Sequence, residues 1–150
     1  MKTQKLALIG ATGFVGGAIL EEIVGRGVPV VAIARNTASI AVESPTLEKK
    51  ELDVTSEAAL AEVLKGVDTV ISAYNPGWKN PDIYRDTMTN YPKIISAVKK
   101  AGIKRLQIVG GAGSLLLPDG KRVMDGNLPE EIRGGVESLA EIFYRYLQPE

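Results

Sequence analysis

The sequence predicts an α/β protein: a doubly wound sheet of five parallel strands, ordered 3-2-1-4-5, in one domain over residues 1–150. Three observations carry that expectation. Short apolar runs rich in Val, Ile and Leu alternate with longer amphipathic patterns along the whole chain. A glycine turn joins the first apolar run directly to the first helical pattern. Crossovers between parallel strands are right-handed, so only a few orders of five such strands remain.

The elements follow in order. Lys5–Ile9 is the first strand, and a helix from about Gly13 to Arg26 sets Phe14, Ile19, Ile23 and Val24 on or near one face before Gly25 and Gly27 close it. Pro29–Ala34 is the second strand, and Thr37–Val42 is a short helical turn or loop. Leu47–Leu52 reads as an amphipathic third strand, which suits the sheet edge. Thr55 and Ser56 are candidate caps for a helix carrying Glu57 in its first turn and Leu60, Val63 and Leu64 inward; Gly66 ends it. Val67–Ala73 reads as a central fourth strand, apolar on both faces from Val70. After the break at Asn75–Pro76–Gly77, a long helix runs from Asp82 to Ala101, with Pro92 kinking it or starting its second part. Arg105–Val109 is the fifth strand. The glycine-rich Gly110–Ser114, the Leu115–Leu117 loop and the Pro118–Asp119–Gly120 turn lead to a last helix from Pro129 to Leu147.

Composition excludes several functions. Eighteen basic and 18 acidic side chains balance to zero net charge, and no stretch concentrates Lys or Arg, so nucleic acid has no electrostatic footprint here. With no Cys and no His, the chain lacks disulfides, a thiolate nucleophile, the commonest metal ligand and the usual neutral-pH base, and no metal site is expected. Lys2 and Lys5 before an apolar run imitate a signal peptide, but Gly10, Thr12, Gly13, Gly16 and Gly17 interrupt that run. No stretch is long and apolar enough to span a bilayer. A cytoplasmic enzyme or binding protein with a small-molecule partner is the expectation.

The motif with the most chemistry in it is Gly10–Ala11–Thr12–Gly13–Phe14–Val15–Gly16. A strand breaking into such a turn aims bare backbone N–H groups and the positive end of a helix dipole at one point, where a pyrophosphate sits well. Gly10 serves the tight turn, Gly13 the approach of backbone to phosphate, and Gly16 the packing of helix on sheet. A P-loop is excluded because no Gly-Lys-Ser/Thr follows. The second strand ends in Arg35–Asn36, and no acidic residue lies between Val28 and Ala41. A carboxylate at this strand end selects NAD through the ribose hydroxyls; a guanidinium instead matches a 2′-phosphate. NADP(H) is therefore expected over NAD(H), with Arg35 as a merely solvated strand end the competing account. Gly10–Gly13, Arg35, Asp53, Ala73–Asn75 and Gly110–Ser114 all fall at carboxyl strand ends, where such sheets bind ligands.

Leu6–Gly16, Ala34–Arg35–Asn36, Asp53–Val54 and Val109–Leu115 occur in an order and spacing that resembles the atypical short-chain dehydrogenase/reductases of Rossmann fold. The likeness is greatest to bacterial NADH-flavin reductase proteins, with the biliverdin/flavin reductases and the nitrogen-metabolite regulators as relatives. The resemblance implies that Gly10, Ala11, Thr12, Gly13, Phe14 and Val15 line the phosphates and that Arg35 with Asn36 meets the adenosine 2′-phosphate. Asp53 and Val54 would flank the adenine, Ala73 and Tyr74 the ribose, and Gly110 and Gly111 would complete the cofactor-binding set. Ser114 would lie near the nicotinamide as the candidate catalytic residue.

Plainer accounts stand beside these roles. Asp53 suits an Asx turn before Thr55 and Ser56, Tyr74 and Trp78 suit loop aromatics packed on the sheet rim, and Ser114 suits a local backbone bond. Tyr144 and Tyr146 suit core and surface packing. Two departures from the family matter. Homologues commonly continue beyond Gln148–Pro149–Glu150 into a substrate part that is short or absent here, which would leave the fifth strand as an exposed edge open to homodimerisation. The Tyr-x-x-x-Lys acid pair is missing as well: Trp78, Met88, Ile95, Gln148 and Glu150 stand four residues beyond the five tyrosines. The expected function is accordingly an NADPH-dependent reductase passing hydride to a free flavin or similar planar conjugated acceptor, which needs no strong protein acid. The alternative is a non-catalytic NADP(H)-binding redox sensor acting through a protein partner.

Overall fold

The computed structural model describes residues 4–149, so Lys2 and Glu150 lie outside the described residues. Five parallel strands form one sheet: β1 (Leu6–Ile9), β2 (Val30–Ala34), β3 (Leu47–Glu51), β4 (Thr69–Ser72) and β5 (Arg105–Ile108), ordered β3-β2-β1-β4-β5. The expected order is the observed one. β1 pairs with both β2 and β4, so its Ala7, Leu8 and Ile9 are fully buried in the middle of the sheet. β3 and β5 alternate exposed and half-buried residues, as edge strands do.

The helices are α1 (Phe14–Gly25), α2 (Glu57–Leu64), α3 (Ile83–Lys100) and α4 (Glu130–Ile142). A 3₁₀ turn over Thr37–Ser39 takes the place between β2 and β3 where a second full helix would fit. Pro92 is accommodated within an unbroken α3. The last helix reaches Leu147 as expected, but its final turn, Phe143–Leu147, is a π-helical one.

The chain packs as two compact units, and it passes between them more than once. The first comprises the residues up to Tyr74 together with Lys93–Val109, and so holds the whole sheet, α1, α2 and the second half of α3. Its core on the α1 side joins Leu8, Ala11, Leu20, Ile23, Val30, Ala32 and Ile40, with Ile19, Val24 and Ile71 partly buried against it. Phe14 does not join that core: it is 98% exposed, because it is the first residue of α1 and its side chain projects from the helix end. The inward positions are Gly16, Leu20 and Ile23, spaced by four and three.

Ser56 occupies the N-cap position of α2 but its side chain caps nothing. Just before it, Asp53 Oδ1 accepts from the Thr55 N–H at 2.9 Å and from its hydroxyl at 2.8 Å. Glu57 turns instead to α3, accepting from Lys100 Nζ at 2.6 Å and from the Ser96 hydroxyl.

The second unit comprises Asn75–Pro92 and the chain from Gly110 onward. Leu115–Val123 folds into a small hairpin, bridged at Leu116 and Arg122 and turned at Gly120 (φ +84°). Trp78 rests on α4 where Gly135 leaves room: a Cβ on Gly135 would stand 2.3 Å from the indole Cζ3. The indole packs on this helix, with half of it exposed. Tyr144 is half-buried and donates its hydroxyl to the Ser114 carbonyl at 3.2 Å, while the Arg122 guanidinium lies 5.7 Å from its ring centre.

Candidate functional site

The carboxyl ends of β1, β2, β3 and β4 bring one group of the expected residues together within the first unit. The turn after β1 is pinned on two sides. Gly10 and Ala11 both donate to the Ile33 carbonyl of β2, at 3.2 and 3.3 Å, and Ala73 after β4 donates to the Ile9 carbonyl at 2.9 Å. Gly10 has φ +79°, and a Cβ there would press on the Ala73–Tyr74 peptide at 2.9–3.0 Å. Gly16 has a stricter constraint: its missing Cβ would lie 1.8 Å from the Gly10 carbonyl oxygen. These two glycines are required by the protein's own packing.

Gly13 is not. Its backbone is extended (φ −74°, ψ 171°), and a Cβ would meet only the Gly10 carbonyl oxygen, at an ordinary 3.5 Å. The bare α-carbon sits at the N-cap of α1, which has no side-chain cap and no acidic residue in its first turn. The Phe14, Val15 and Gly16 N–H groups donate to no acceptor among the described residues. Thr12, Gly13, Phe14 and Val15 are all exposed. An uncapped 12-residue helix with free donors and no side chain over them fits a phosphate group, so the residues present suit the pyrophosphate of a dinucleotide.

Arg35 follows β2 directly and is exposed, and it forms no hydrogen bond or salt bridge among the described residues. Asn36 beside it caps the 3₁₀ turn, its Oδ1 accepting from the Ala38 N–H at 3.0 Å. The Asx turn sketched for Asp53 exists. The Thr55 N–H and hydroxyl hold its carboxyl below the usual carboxylate range, with Arg35 and Lys93 adding through space. Val54 is buried and Tyr74 half-buried. The sequence reading passed over Glu51, whose Oε2 accepts from the Thr37 N–H and hydroxyl, both at 3.3 Å. It lies outside the interval searched for a carboxylate, on the neighbouring strand.

Gly110, Gly111 and Ser114 belong to the second unit. A Cβ on Gly110 would meet nothing and one on Gly111 only Leu139, at 3.7 Å, whereas one on Gly113 would clash with Val136 at 2.4 Å. Ser114 is half-buried, and its hydroxyl makes no hydrogen bond among the described residues, so local backbone bonding does not occupy it.

Comparison with known proteins fits this geometry. A family model described as NAD(P)H-binding matches residues 10–132. A curated Bacillus subtilis relative, the uncharacterized protein YwnB, is 36% identical over 127 residues, which are 81% of this chain and 55% of that protein. Among solved structures, a protein provisionally named an epimerase from Bacteroides thetaiotaomicron is 46% identical with a TM-score of 0.90, covering 99% of this chain and 67% of that one. One provisionally named an NADH-flavin reductase from Streptococcus pneumoniae is 32% identical with a TM-score of 0.71, covering 92% and 63%. The chain thus spans about half the length of the curated relative. Among the described residues, no helix is long and apolar enough to cross a membrane.

Proposed function

The chain belongs to the NAD(P)H-binding family, and from that premise we propose that its first unit holds NADP(H) and serves a reductase that delivers hydride to a planar conjugated acceptor such as a free flavin. The observation that carries the reading is Arg35: an exposed guanidinium without a salt-bridge partner among the described residues, at the strand end where dinucleotide sheets meet the adenosine ribose. Arginine recognises a 2′-phosphate with two parallel charge-assisted bonds.

The backbone donors of Phe14, Val15 and Gly16 would hold the pyrophosphate, and the backbone at Ala73–Tyr74, packed against Gly10, would run along the ribose. When bound, the nicotinamide supplies a hydride. The chain has no His or Cys and no Tyr-x-x-x-Lys pair to donate a proton to a carbonyl oxygen. A conjugated ring system disperses the incoming charge and takes its proton from water, so placement is the protein's contribution. The name of the pneumococcal relative supports a flavin as acceptor.

The test has two stages. Calorimetric titration should show saturation by both dinucleotides, with NADPH the tighter by about tenfold, or 1.4 kcal/mol. Stopped-flow mixing with NADPH and FMN should then show NADPH oxidation faster than without protein. Tight NADPH binding with no turnover across flavin and quinone acceptors replaces the reductase with a redox sensor. No saturation by either nucleotide at millimolar concentration refutes the reading altogether.

A further inference from the structure

The third strand contributes charge to the ribose end of the site. Every other charged residue of β3 is in a salt bridge: Glu48 with Lys5 and Lys50, and Lys49 with Glu43. Glu51 alone has no cationic partner among the described residues. It accepts only from the neutral Thr37 N–H and hydroxyl, at 3.3 Å each, beyond the usual length for a charged acceptor. The parallel register sets Glu51 opposite Ala34, the residue before Arg35, and its carboxylate reaches over the end of β2 to the turn that follows. Among the described residues, a cation and an anion without salt bridges therefore share the same strand ends, with the Asp53 carboxylate, which Arg35 also reaches through space, beside them.

We propose that Glu51 is a specificity-determining residue, whose carboxylate works against the 2′-phosphate that Arg35 attracts and so moderates the preference for NADP(H) over NAD(H). The inference rests on the reading of Arg35 given above. A 2′-phosphate brings one to two negative charges beside a carboxylate with no cation of its own. A 2′-hydroxyl brings none, and it donates to a carboxylate. The cofactor preference is then set by opposed charges, Arg35 against the Glu51 carboxylate with Asp53 held constant, and removing Arg35 or Glu51 shifts it in opposite directions.

The experiment uses Glu51→Gln in the full chain, with NADP⁺ and NAD⁺ titrated calorimetrically at low and high salt. Glutamine keeps an oxygen to accept from Thr37, so the turn persists while the charge is lost. The NADP⁺ affinity should rise about tenfold with that for NAD⁺ unchanged or weaker, and the gain should shrink at high salt. Thr37→Val, which removes the hydroxyl donor and keeps the charge, should leave the ratio of the two affinities where it was. An unmoved ratio in Glu51→Gln, or both affinities moving together, overturns the proposal and leaves Glu51 only the holding of the turn. An equal shift in Thr37→Val overturns it too, by assigning the effect to turn geometry. Should the wild-type chain bind neither nucleotide, the NADP(H) reading itself falls, a result distinct from binding with an unmoved ratio.

Discussion

Gly13→Ala separates what the fold needs from what a ligand needs. The new methyl would meet one atom, the Gly10 carbonyl oxygen, at 3.5 Å, and φ −74°, ψ 171° is backbone that alanine adopts freely. Reduced entropy of the unfolded chain stabilises such a variant by about 0.4–1 kcal/mol. The poorer standing of alanine at an N-cap costs a similar amount. The Tm should therefore stay within about 2 °C of wild type for a chain of this size. Binding is another matter. The placement of the pyrophosphate requires it to use the open space beside Gly13 that the methyl would fill, and each charge-assisted hydrogen bond lost to a phosphate costs about 1.5–3 kcal/mol. One such loss weakens NADPH about ten- to hundredfold. Thermal denaturation by circular dichroism and calorimetric titration of the same preparation read the two effects separately. Gly16→Ala is the contrast, because its Cβ would lie 1.8 Å from the Gly10 oxygen and 2.8 Å from the Gly10 carbonyl carbon, so stability and binding should fall together. A folded Gly13→Ala protein that binds NADPH like wild type would falsify the placement of the pyrophosphate.

Three further outcomes are expected. Arg35→Gln should weaken NADPH by about tenfold and leave NADH within about twofold; equal losses for the two would deny Arg35 contact with the 2′-phosphate. Gly135→Ala should displace the indole of Trp78 and cost about 1–3 kcal/mol by overpacking. Because Trp78 is the sole tryptophan, its emission reports the change directly, and an unaltered spectrum counts against the close contact. Asp53 has a carboxyl whose proton affinity is lower folded than unfolded, chiefly through the Thr55 N–H. Its contribution to stability is present above the unfolded pKa and is lost as pH falls through the lower folded one. Asp53→Asn should therefore show a shallower loss of stability below about pH 4 in acid titration followed by circular dichroism.

The sheet was legible because β1, β2 and β4 are short apolar runs, β3 and β5 are the more polar edge strands, and right-handed crossovers leave few orders once the strands are found. Glycines were legible where φ is positive or two backbones touch, as at Gly10 and Gly16. Less was legible wherever a residue's role depends on what stands beside it. Periodicity counted Phe14 among inward residues because the pattern includes the helix's first position, yet at that position no neighbouring element covers the side chain. Ser56 has the composition of a cap and stands at the N-cap position, but its side chain makes no capping bond. The contact of Gly135 with Trp78 comes from packing between segments more than 50 residues apart, and the π-helical turn at Phe143–Leu147 from a backbone bond of Gln148 N–H to the Phe143 carbonyl, five residues back. Neither leaves a periodic trace.

The cofactor preference exposes the same limit in its sharpest form. Reading along one strand, the end of β2 holds Arg35 and no acid between Val28 and Ala41, which argues for a 2′-phosphate alone. Yet a parallel sheet sets strand ends side by side, and the register of β2 with β3 carries Glu51 to within hydrogen-bonding distance of Thr37, two residues beyond that arginine. Ala34 and Glu51 are seventeen positions apart in sequence; in space the two are directly paired. On the proposed placement of the ribose, the field there comes from more than one strand end: Arg35 supplies the cation, Glu51 an anion from the neighbouring strand, and Asp53 a second carboxylate that Arg35 reaches through space. Any inference of nucleotide preference from a single strand end therefore requires the charge at the end of its neighbour, and the Glu51→Gln ratio measures how much that neighbour contributes here.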